Sequence, residues 1–303
     1  MGTMRVALRR RQSADGLDEA QRAALRTLVA SPKFELIPLR NALEQAASLP
    51  PGAAVTVTAS PTHTMEATLD LAEAVSAQGH EVIPHLSAHM IRDRSHLSAL
   101  LDRMSAAGLG RAFVVGGDAK EPGAFRDGLS LLRAIDELGR PLAEIGVPSY
   151  PEGHVDIRDD VLLKVLRDKQ PYASYMTTQM GFKPQVIVAW IARMRTQGVT
   201  LPVHLGTPGV AEITKLMTIA TRIGIADSAR YLKKHRKLVG HLLSPGKFGP
   251  DALLEGVAPA LADPDARVES LHLFTFNQVG ATVEWQQRML ASLADDEGEE
   301  AEI

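Results

Sequence analysis

The stretch RAFVVGGD (111–118) is a short apolar run closed by two glycines and a carboxylate, and seven runs of the same kind lie on either side of it. They are KFELIPL (33–39), AVTVTAS (54–60), EVIPHLS (81–87), EIGVPSY (144–150), ASYMTTQ (173–179), LPVHLGT (201–207) and SLHLFTF (270–276). Most are separated by roughly 20–30 residues, which leaves room for one helix and two loops, the repeat of a βα unit. Eight such units predict a closed (β/α)8 TIM barrel of the α/β class, with its chemistry at the carboxyl ends of the strands.

The apolar runs are rich in β-branched residues and alternate little between apolar and polar positions, as VTVT (55–58) illustrates. This composition is typical of strands that are buried on both faces, and it favours a parallel sheet. The alternative is an open doubly wound sheet, which would carry a Gly-x-Gly-x-x-Gly loop after an early strand. The Gly116–Gly117 pair is only a weak signal of that kind, so the pattern favours the barrel.

Composition and charge exclude several classes of protein. The 303 residues are 45% hydrophobic and 23% charged, as in an ordinary folded protein, and the formal net charge of −3 gives no electrostatic case for nucleic acid or an anionic membrane. No apolar run approaches the roughly 20 residues that span a bilayer. The absence of cysteine excludes disulfides and thiolate metal sites and fits a reducing cytoplasm. We expect a cytoplasmic protein with a small-molecule substrate and no obligatory protein partner.

Helical periodicity fills the intervals between the runs. Residues 17–30 predict an extra amino-terminal helix that precedes the first strand and could cover the amino-terminal mouth of the barrel. Further helices are predicted at 65–77, 96–107, 125–138, 186–195 and 278–294.

The interval 209–262 departs from this regular spacing, because it is too apolar for a loop and too short for a domain. Its periodicity predicts helices at 210–223, 228–235, 237–243 and 250–261. We interpret it as an elaborated helical crossover between the seventh and eighth strands. The chain is therefore predicted to form one barrel domain over 1–294, followed by a disordered acidic tail over 295–303.

Glu35 is the first candidate for chemistry, because it lies within an apolar strand between Phe34 and Leu36. A buried glutamate is costly unless it is paired, protonated or functional. Burial favours the protonated carboxyl, which can then donate a proton at neutral pH. The alternative is a structural glutamate at the barrel rim that pairs with Arg40 or another base.

Asp118 and Gln179 end the fourth and sixth runs. The glycines before Asp118 allow its backbone to approach a flat ligand closely, although the same position could simply cap a helix. The amide of Gln179 offers a donor and an acceptor together, as the edge of a heterocyclic amide requires. A rim glutamine without function is an equal alternative.

Three histidines, His85, His154 and His204, fall near strand ends and raise the question of a metal site. Their spacing matches no metal motif, and His204 lies inside its strand, where a core histidine is the simpler interpretation. The sequence therefore predicts no metal.

Taken in order, these segments resemble the methylenetetrahydrofolate reductase family from about residue 33 to 290. KFELIPLR (33–40) is similar to that family's Phe-Glu-Phe-Phe-Pro-Pro-Lys/Arg opening, and IPHLS (83–87) to its Pro-His-Leu-Thr segment. Further similar segments are VTVTAS (55–60), the VVGGDAKEPG loop (114–123), YPEGH (150–154), TTQMGF (177–182) and LHLFTFN (271–277). Each is weak alone, whereas the ordered set is fairly specific.

The resemblance implies reduction of 5,10-methylenetetrahydrofolate to 5-methyltetrahydrofolate, with Glu35 as the acid that protonates N10 and opens the imidazolidine ring. It also implies that Asp118 binds the pterin edge and helps to keep Glu35 protonated. Gln179 and Phe182 would contact the substrate as well. By the same resemblance, the cofactor would be contacted by Thr58, His85, Tyr150 and His154.

Departures from the family pattern concern the flavin that its typical members carry. Gly116 replaces the arginine of the Arg-Gly-Asp loop, Ala59–Ser60 replaces a Tyr-Gly pair, and Arg126 takes the place of a small alanine beside the flavin phosphates. These changes remove a cation and an aromatic ring and add bulk. We therefore expect the flavin-independent branch of the family, with NADH as direct hydride donor and no bound FAD.

Three alternatives remain at this point: the same reaction through bound FAD, a barrel methyltransferase that acts on a methyl-pterin, and a non-catalytic folate-binding subunit. Glu35 argues against the methyltransferase, because methyl transfer needs no ring-opening acid. The sequence does not distinguish NADH from NADPH, and it leaves the oligomeric state open.

Overall fold

The computed structural model describes residues 16–119, 121–139, 142–222 and 247–294. Eight parallel strands form a closed barrel, which confirms the predicted (β/α)8 fold. The barrel strands are Lys33–Leu36 (β1), Ala54–Val57 (β2), Glu81–Ser87 (β3), Arg111–Val115 (β4), Glu144–Ser149 (β5), Tyr175–Thr178 (β6), Val203–Pro208 (β7) and Val268–Phe274 (β10). Neighbours in the barrel follow chain order, and β10 closes it by pairing with both β7 and β1.

Ten helices accompany the strands in the described ranges. They are Glu19–Ala30 (α1), Ala42–Ala46 (α2), Met65–Ser76 (α3), Arg94–Ala106 (α4), Gly128–Glu137 (α5), Asp159–Lys169 (α6), Pro184–Thr196 (α7), Ile213–Arg222 (α8), Asp251–Leu261 (α9) and Val279–Ala294 (α10). The predicted helices lie within about three residues of these bounds. The short helix α2 and helix α6 had no counterpart in the sequence prediction.

The extra amino-terminal helix α1 is present and begins with a capping box between Asp18 and Gln21. It packs against α9 and α10 in the outer layer and against strand β10. Gln286 of α10 donates its side-chain amide to the carbonyl of Val29, at 2.9 Å. Helix α1 thus joins the last helices of the chain to the start of the barrel.

The crossover between β7 and β10 contains α8 and α9, close to two of its four predicted helices. It also contains a small antiparallel sheet that the sequence did not predict, formed by Ala211–Glu212 (β8) and Lys247–Phe248 (β9). The helices predicted at 228–235 and 237–243 lie outside the described residues, as does the predicted tail over 295–303.

Polar side chains occupy much of the barrel interior. Those that are buried on barrel strands include Glu35, Thr56, His85, Thr177, His204 and His272. The larger apolar core lies between the outer helices and the barrel wall, where Leu25, Trp190 and Trp285 are buried. No helix within the described ranges is long and apolar enough to cross a membrane.

Candidate active site

Glu35 lies in the interior of the barrel and is 8% exposed. Its Oε2 is 3.2 Å from Nε2 of His272 on β10 and 4.0 Å from Nε2 of His85 on β3. Strand β2 separates β1 from β3 in the barrel wall, so the approach of His85 crosses the interior. The alternative of a rim glutamate paired with Arg40 does not fit this geometry, because Arg40 is exposed and the polar neighbours of the carboxyl are two buried histidines.

His272 is the residue that the sequence analysis missed. It is 2% exposed, and its ring meets that of Phe274 edge to face, with centroids 4.7 Å apart. The segment LHLFTFN (271–277) already contained His272, but no local pattern placed it opposite a residue 237 positions earlier. Only the pairing of β10 with β1 brings the two side chains together.

His85 was predicted from the sequence as a cofactor contact, and the structure places it beside Glu35. Burial is the main cause that lowers the pKa of His85 to about 4; the charge of Glu35 opposes the shift and the nearby His272 adds to it. The ring is therefore neutral near pH 7. Its Nε2 is buried and has no hydrogen-bond partner among the described residues, while the ring packs 4.7 Å from that of Phe113.

Asp118 is exposed in the loop that follows β4. Its negative charge, together with the larger effect of burial, raises the pKa of the Tyr150 hydroxyl. Asp118 and Tyr150 follow the carboxyl ends of β4 and β5, close enough for the carboxylate to act on the hydroxyl. Asp118 does not cap a helix: the cap of α5 is Asp127, whose side chain accepts the N–H of Ser130.

The backbone conformation and close surroundings of Gly117 explain why a glycine precedes Asp118. Its backbone has φ of +94°, a conformation that side-chain-bearing residues rarely adopt, and a Cβ there would lie 2.1 Å from Oγ of Ser87. The loop can therefore pass close to the end of β3 only with glycine at this position. This contact fixes the path of the chain immediately before Asp118.

Gln179 and Thr58 lie at the ends of β6 and β2, and both are partly buried. The Oε1 of Gln179 accepts the N–H of Met180 at 2.9 Å, so a ligand would meet mainly the amide nitrogen unless this local bond opens. The backbone of Thr58 donates to Leu36 and accepts from Thr68, which ties the β2 end to its neighbours.

Phe182 occupies a different environment from the other predicted residues. It is 2% exposed and packs edge to face on Phe248, with ring centroids 5.6 Å apart. The same apolar cluster includes Ile213 and Leu216 of α8. Phe182 therefore anchors the β8–β9 crossover to the end of β6.

Tyr150 and His154 stand side by side after β5, with ring centroids 5.2 Å apart in an edge-to-face arrangement. His154 Nδ1 accepts the N–H of Asp156 at 3.1 Å, which holds the ring within its loop. Three of the four predicted cofactor residues therefore form two groups. His85 lies inside the barrel, whereas Tyr150 and His154 lie at its rim.

A cavity of about 590 Å³ opens beside Tyr150, between the ends of β4 and β5 and helices α5, α6 and α7. Leu162, Leu166 and Trp190 contribute to its apolar wall, and Asp159 and Lys169 add charge. A volume of this size accommodates a small organic ligand. No local pattern in the sequence indicated this cavity, because α6, which forms one wall, was not predicted.

Lys169 is the least expected residue of that cavity, since it is charged and only 8% exposed. Burial lowers its pKa, and the charge of Asp127 opposes the shift. A Cβ placed on Gly128, the first residue of α5, would be 3.5 Å from the lysine Nζ. A cation and a helix amino terminus thus face one wall of the cavity, an arrangement that favours an anionic ligand group.

His204 is a core histidine of the barrel, as one interpretation of the sequence held. Its ring stacks on Tyr175 with centroids 3.8 Å apart, and burial is the main cause of its lowered pKa. No group of three or more His, Cys, Asp or Glu residues is placed to hold a metal ion in the part of the chain that the structure describes.

A closed (β/α)8 barrel with a buried carboxyl in its interior, and polar residues at its strand ends, defines this chain as an α/β-barrel protein with an enzyme-like site. The family model described as methylenetetrahydrofolate reductase matches residues 29–289. The chain therefore belongs to the methylenetetrahydrofolate reductase family.

One solved structure shows the same fold at low sequence identity. A protein from Clostridium thermocellum, described as uncharacterised and as binding two copies of 5-methyl-5,6,7,8-tetrahydrofolic acid, is 12% identical with a TM-score of 0.61. The match covers 89% of this chain and 98% of that one. Dihydropteroate synthase from Thermus thermophilus is 15% identical over 87% of this chain and 94% of its own, with a TM-score of 0.41.

Proposed function

We propose that this protein reduces 5,10-methylenetetrahydrofolate to 5-methyltetrahydrofolate, with NADH as the direct hydride donor. Membership of the family supports the reaction class. The observation that carries the proposal is the Glu35 carboxyl, which lies inside the barrel between two buried histidines. A carboxyl in this position can meet a substrate that enters from the carboxyl ends of the strands.

The reaction needs one proton and one hydride. Protonation of N10 breaks its bond to the bridging carbon, the bonding pair remains on N10, and the N5 lone pair forms the iminium double bond. The iminium carbon then accepts a hydride, two electrons with one proton, to become the N5 methyl group, and NADH becomes NAD⁺. Glu35 is the proposed proton donor, a role that typically contributes about 10²–10⁴-fold to the rate.

Asp118 and Gln179 are the proposed contacts of the pterin ring. Asp118 is exposed at the rim beside Tyr150, where a carboxylate can accept hydrogen bonds from an aminopyrimidine edge. The side-chain nitrogen of Gln179 can donate to the pterin carbonyl. Phe182 was expected to pack on a ring of the substrate, and in its buried position it would instead support the loop that carries Gln179.

The cavity beside Tyr150 is the proposed site of the dinucleotide. Its apolar wall could hold a base, and Lys169 and the α5 amino terminus could hold a phosphate. Tyr150 lies in the cavity wall with His154 beside it, on the side of the barrel rim. This chemistry also suits FAD, which supplies hydride relay in typical family members. The replacement of the family arginine by Gly116 is the reason to favour NADH alone.

The deciding experiment is anaerobic oxidation of NADH by the purified protein and methylenetetrahydrofolate, with and without added FAD. We expect turnover without FAD and no yellow absorbance of oxidised flavin in the purified sample. Turnover that depends on FAD would select the flavin route. Folate binding without turnover under either condition would select the non-catalytic folate-binding alternative.

The substitution Glu35→Gln tests whether Glu35 donates the proton. The amide keeps the shape of the side chain but cannot donate an acidic proton, so kcat should fall by about 10²–10⁴-fold. Binding of 5-methyltetrahydrofolate, which has no ring to open, should change by less than about threefold. Glu44→Gln, at an exposed position on α2, is the matched control. Turnover within about twofold of the unaltered protein would rule out proton donation by Glu35.

A further inference from the structure

Residues 272–277, at the end of β10 and just after it, contact β1 and the residue that follows it at three separate points. Besides the side-chain contact between His272 and Glu35, Oγ1 of Thr275 donates to the carbonyl oxygen of Glu35 at 2.5 Å. Asn277 accepts the N–H of Ile37 and donates to its carbonyl, each at 2.9 Å. Both the backbone and the carboxyl of Glu35 are therefore held by this segment.

These bonds are shielded from solvent. Thr275 is fully buried and Asn277 is 5% exposed. Asn277 has φ of +56°, which asparagine tolerates better than most residues, and its backbone N–H bonds to Oγ1 of Thr275. The turn at residues 275–277 thus has a specific shape that points two polar side chains at the β1 segment.

The contact with His272 also determines which part of the carboxyl is available. Oε2 is 3.2 Å from the imidazole, so Oε1 is the oxygen left to meet a substrate nitrogen. An imidazole N–H can donate to the carbonyl oxygen of a carboxylic acid and to a carboxylate oxygen. The contact at Oε2 therefore suits Glu35 both while Oε1 carries the proton and after that proton has been given up. His85, at 4.0 Å and without a hydrogen bond to Glu35, does not hold the group in this way.

We propose that His272 is the positioning residue of Glu35, and that Thr275 and Asn277 fix the β1 backbone beneath it. The contacts themselves do not depend on the proposed function, and only the expected effect on kcat rests on it. Misplacing a reacting group by about 1 Å can cost roughly 100-fold in rate, so these contacts matter for catalysis as well as for stability.

The kinetic test compares His272→Leu with His272→Gln. Leucine removes the polar contact, and kcat should fall by about 10–100-fold while KM for NADH stays within about twofold. Glutamine can donate or accept from a similar place, so it should restore kcat to within about fivefold of the unaltered protein. His63→Leu, at an exposed site on another loop, is the control.

If His272 only stabilised the fold, both variants would lose stability and glutamine would not restore kcat. Equal loss in the two variants, or kcat of His272→Leu within about twofold of the unaltered protein, would overturn the inference. Both outcomes are distinct from failure of the proposed function, in which the unaltered protein itself does not turn over.

A second measurement does not depend on turnover. The imidazole ¹H–¹⁵N resonances of His272 can be assigned by their loss from the spectrum of His272→Gln. They should shift in Glu35→Leu and remain unchanged in Glu44→Gln. Binding of 5-methyltetrahydrofolate by each variant checks that the site is folded. Unchanged His272 resonances in a folded Glu35→Leu variant would show that the hydrogen bond does not exist, and the inference would fail.

Discussion

At the scale of single residues, the candidate site depends on positions where the backbone itself is constrained. Gly117 determines how the loop bearing Asp118 leaves the barrel, because its positive φ and its contact with Ser87 exclude a side chain. Glu35 depends on a different kind of constraint, which is the set of hydrogen bonds from residues 272–277. In both places a candidate site residue is held in place by contacts with a neighbouring segment.

Gly117→Ala should destabilise the protein more than Gly52→Ala does. Both glycines have positive φ, but a Cβ on Gly52 meets nothing within 4 Å, so that variant measures the backbone cost alone, about 1–2 kcal/mol. Urea unfolding of the two variants measures the difference. Equal losses would mean that Ser87 moves aside freely.

At the scale of elements, α9 contains two partly buried acidic residues one turn apart, Asp251 and Glu255. Burial is the main cause of the raised pKa of Asp251. Burial, and then the charge of Asp251, raises the pKa of Glu255 to about 7. Helix α9 thus carries a group whose protonated form the fold prefers.

Glu255→Gln should therefore stabilise the protein in a pH-dependent way. The folded pKa lies above the ordinary value of 4.5, so the contribution of Glu255 is fully present below pH 4.5 and is lost as pH rises through 7. The glutamine variant should gain roughly 1 kcal/mol at about pH 8.5 and little at about pH 5, after allowance for partial solvent screening. Urea unfolding at both pH values measures the gain in the free energy of unfolding, with Glu284→Gln on α10 as an exposed control. A larger gain at the lower pH would contradict this prediction.

At the scale of the whole molecule, Arg195 joins segments that are distant in the chain. Its guanidinium donates to the carbonyls of Val199 and Leu201, before β7, and to that of Ala266, before β10, at 2.7–3.0 Å. Strands β7 and β10 pair with each other, so one side chain holds the amino-terminal side of the barrel at its last crossover.

Arg195→Leu should lower the free energy of unfolding by about 2–4 kcal/mol, because three carbonyl oxygens would lose a charged donor. Arg193→Leu is the matched control, since Arg193 lies on the same helix but is exposed. Thermal unfolding of both variants gives the comparison. A loss no larger than that of the control would mean that water replaces the guanidinium at these carbonyls.

Local sequence patterns determined the barrel and much of the candidate site. The repeat of apolar runs predicted eight strands because strand and helix periodicities are local, and the burial of Glu35 followed from its apolar neighbours on the same strand. Only the tertiary structure decided that His272 contacts Glu35, that Phe182 packs on Phe248, and that a cavity opens beside α6. The physical reason is that closure pairs β10 with β1 across more than 230 positions, and no periodicity within one segment specifies which side chains meet there.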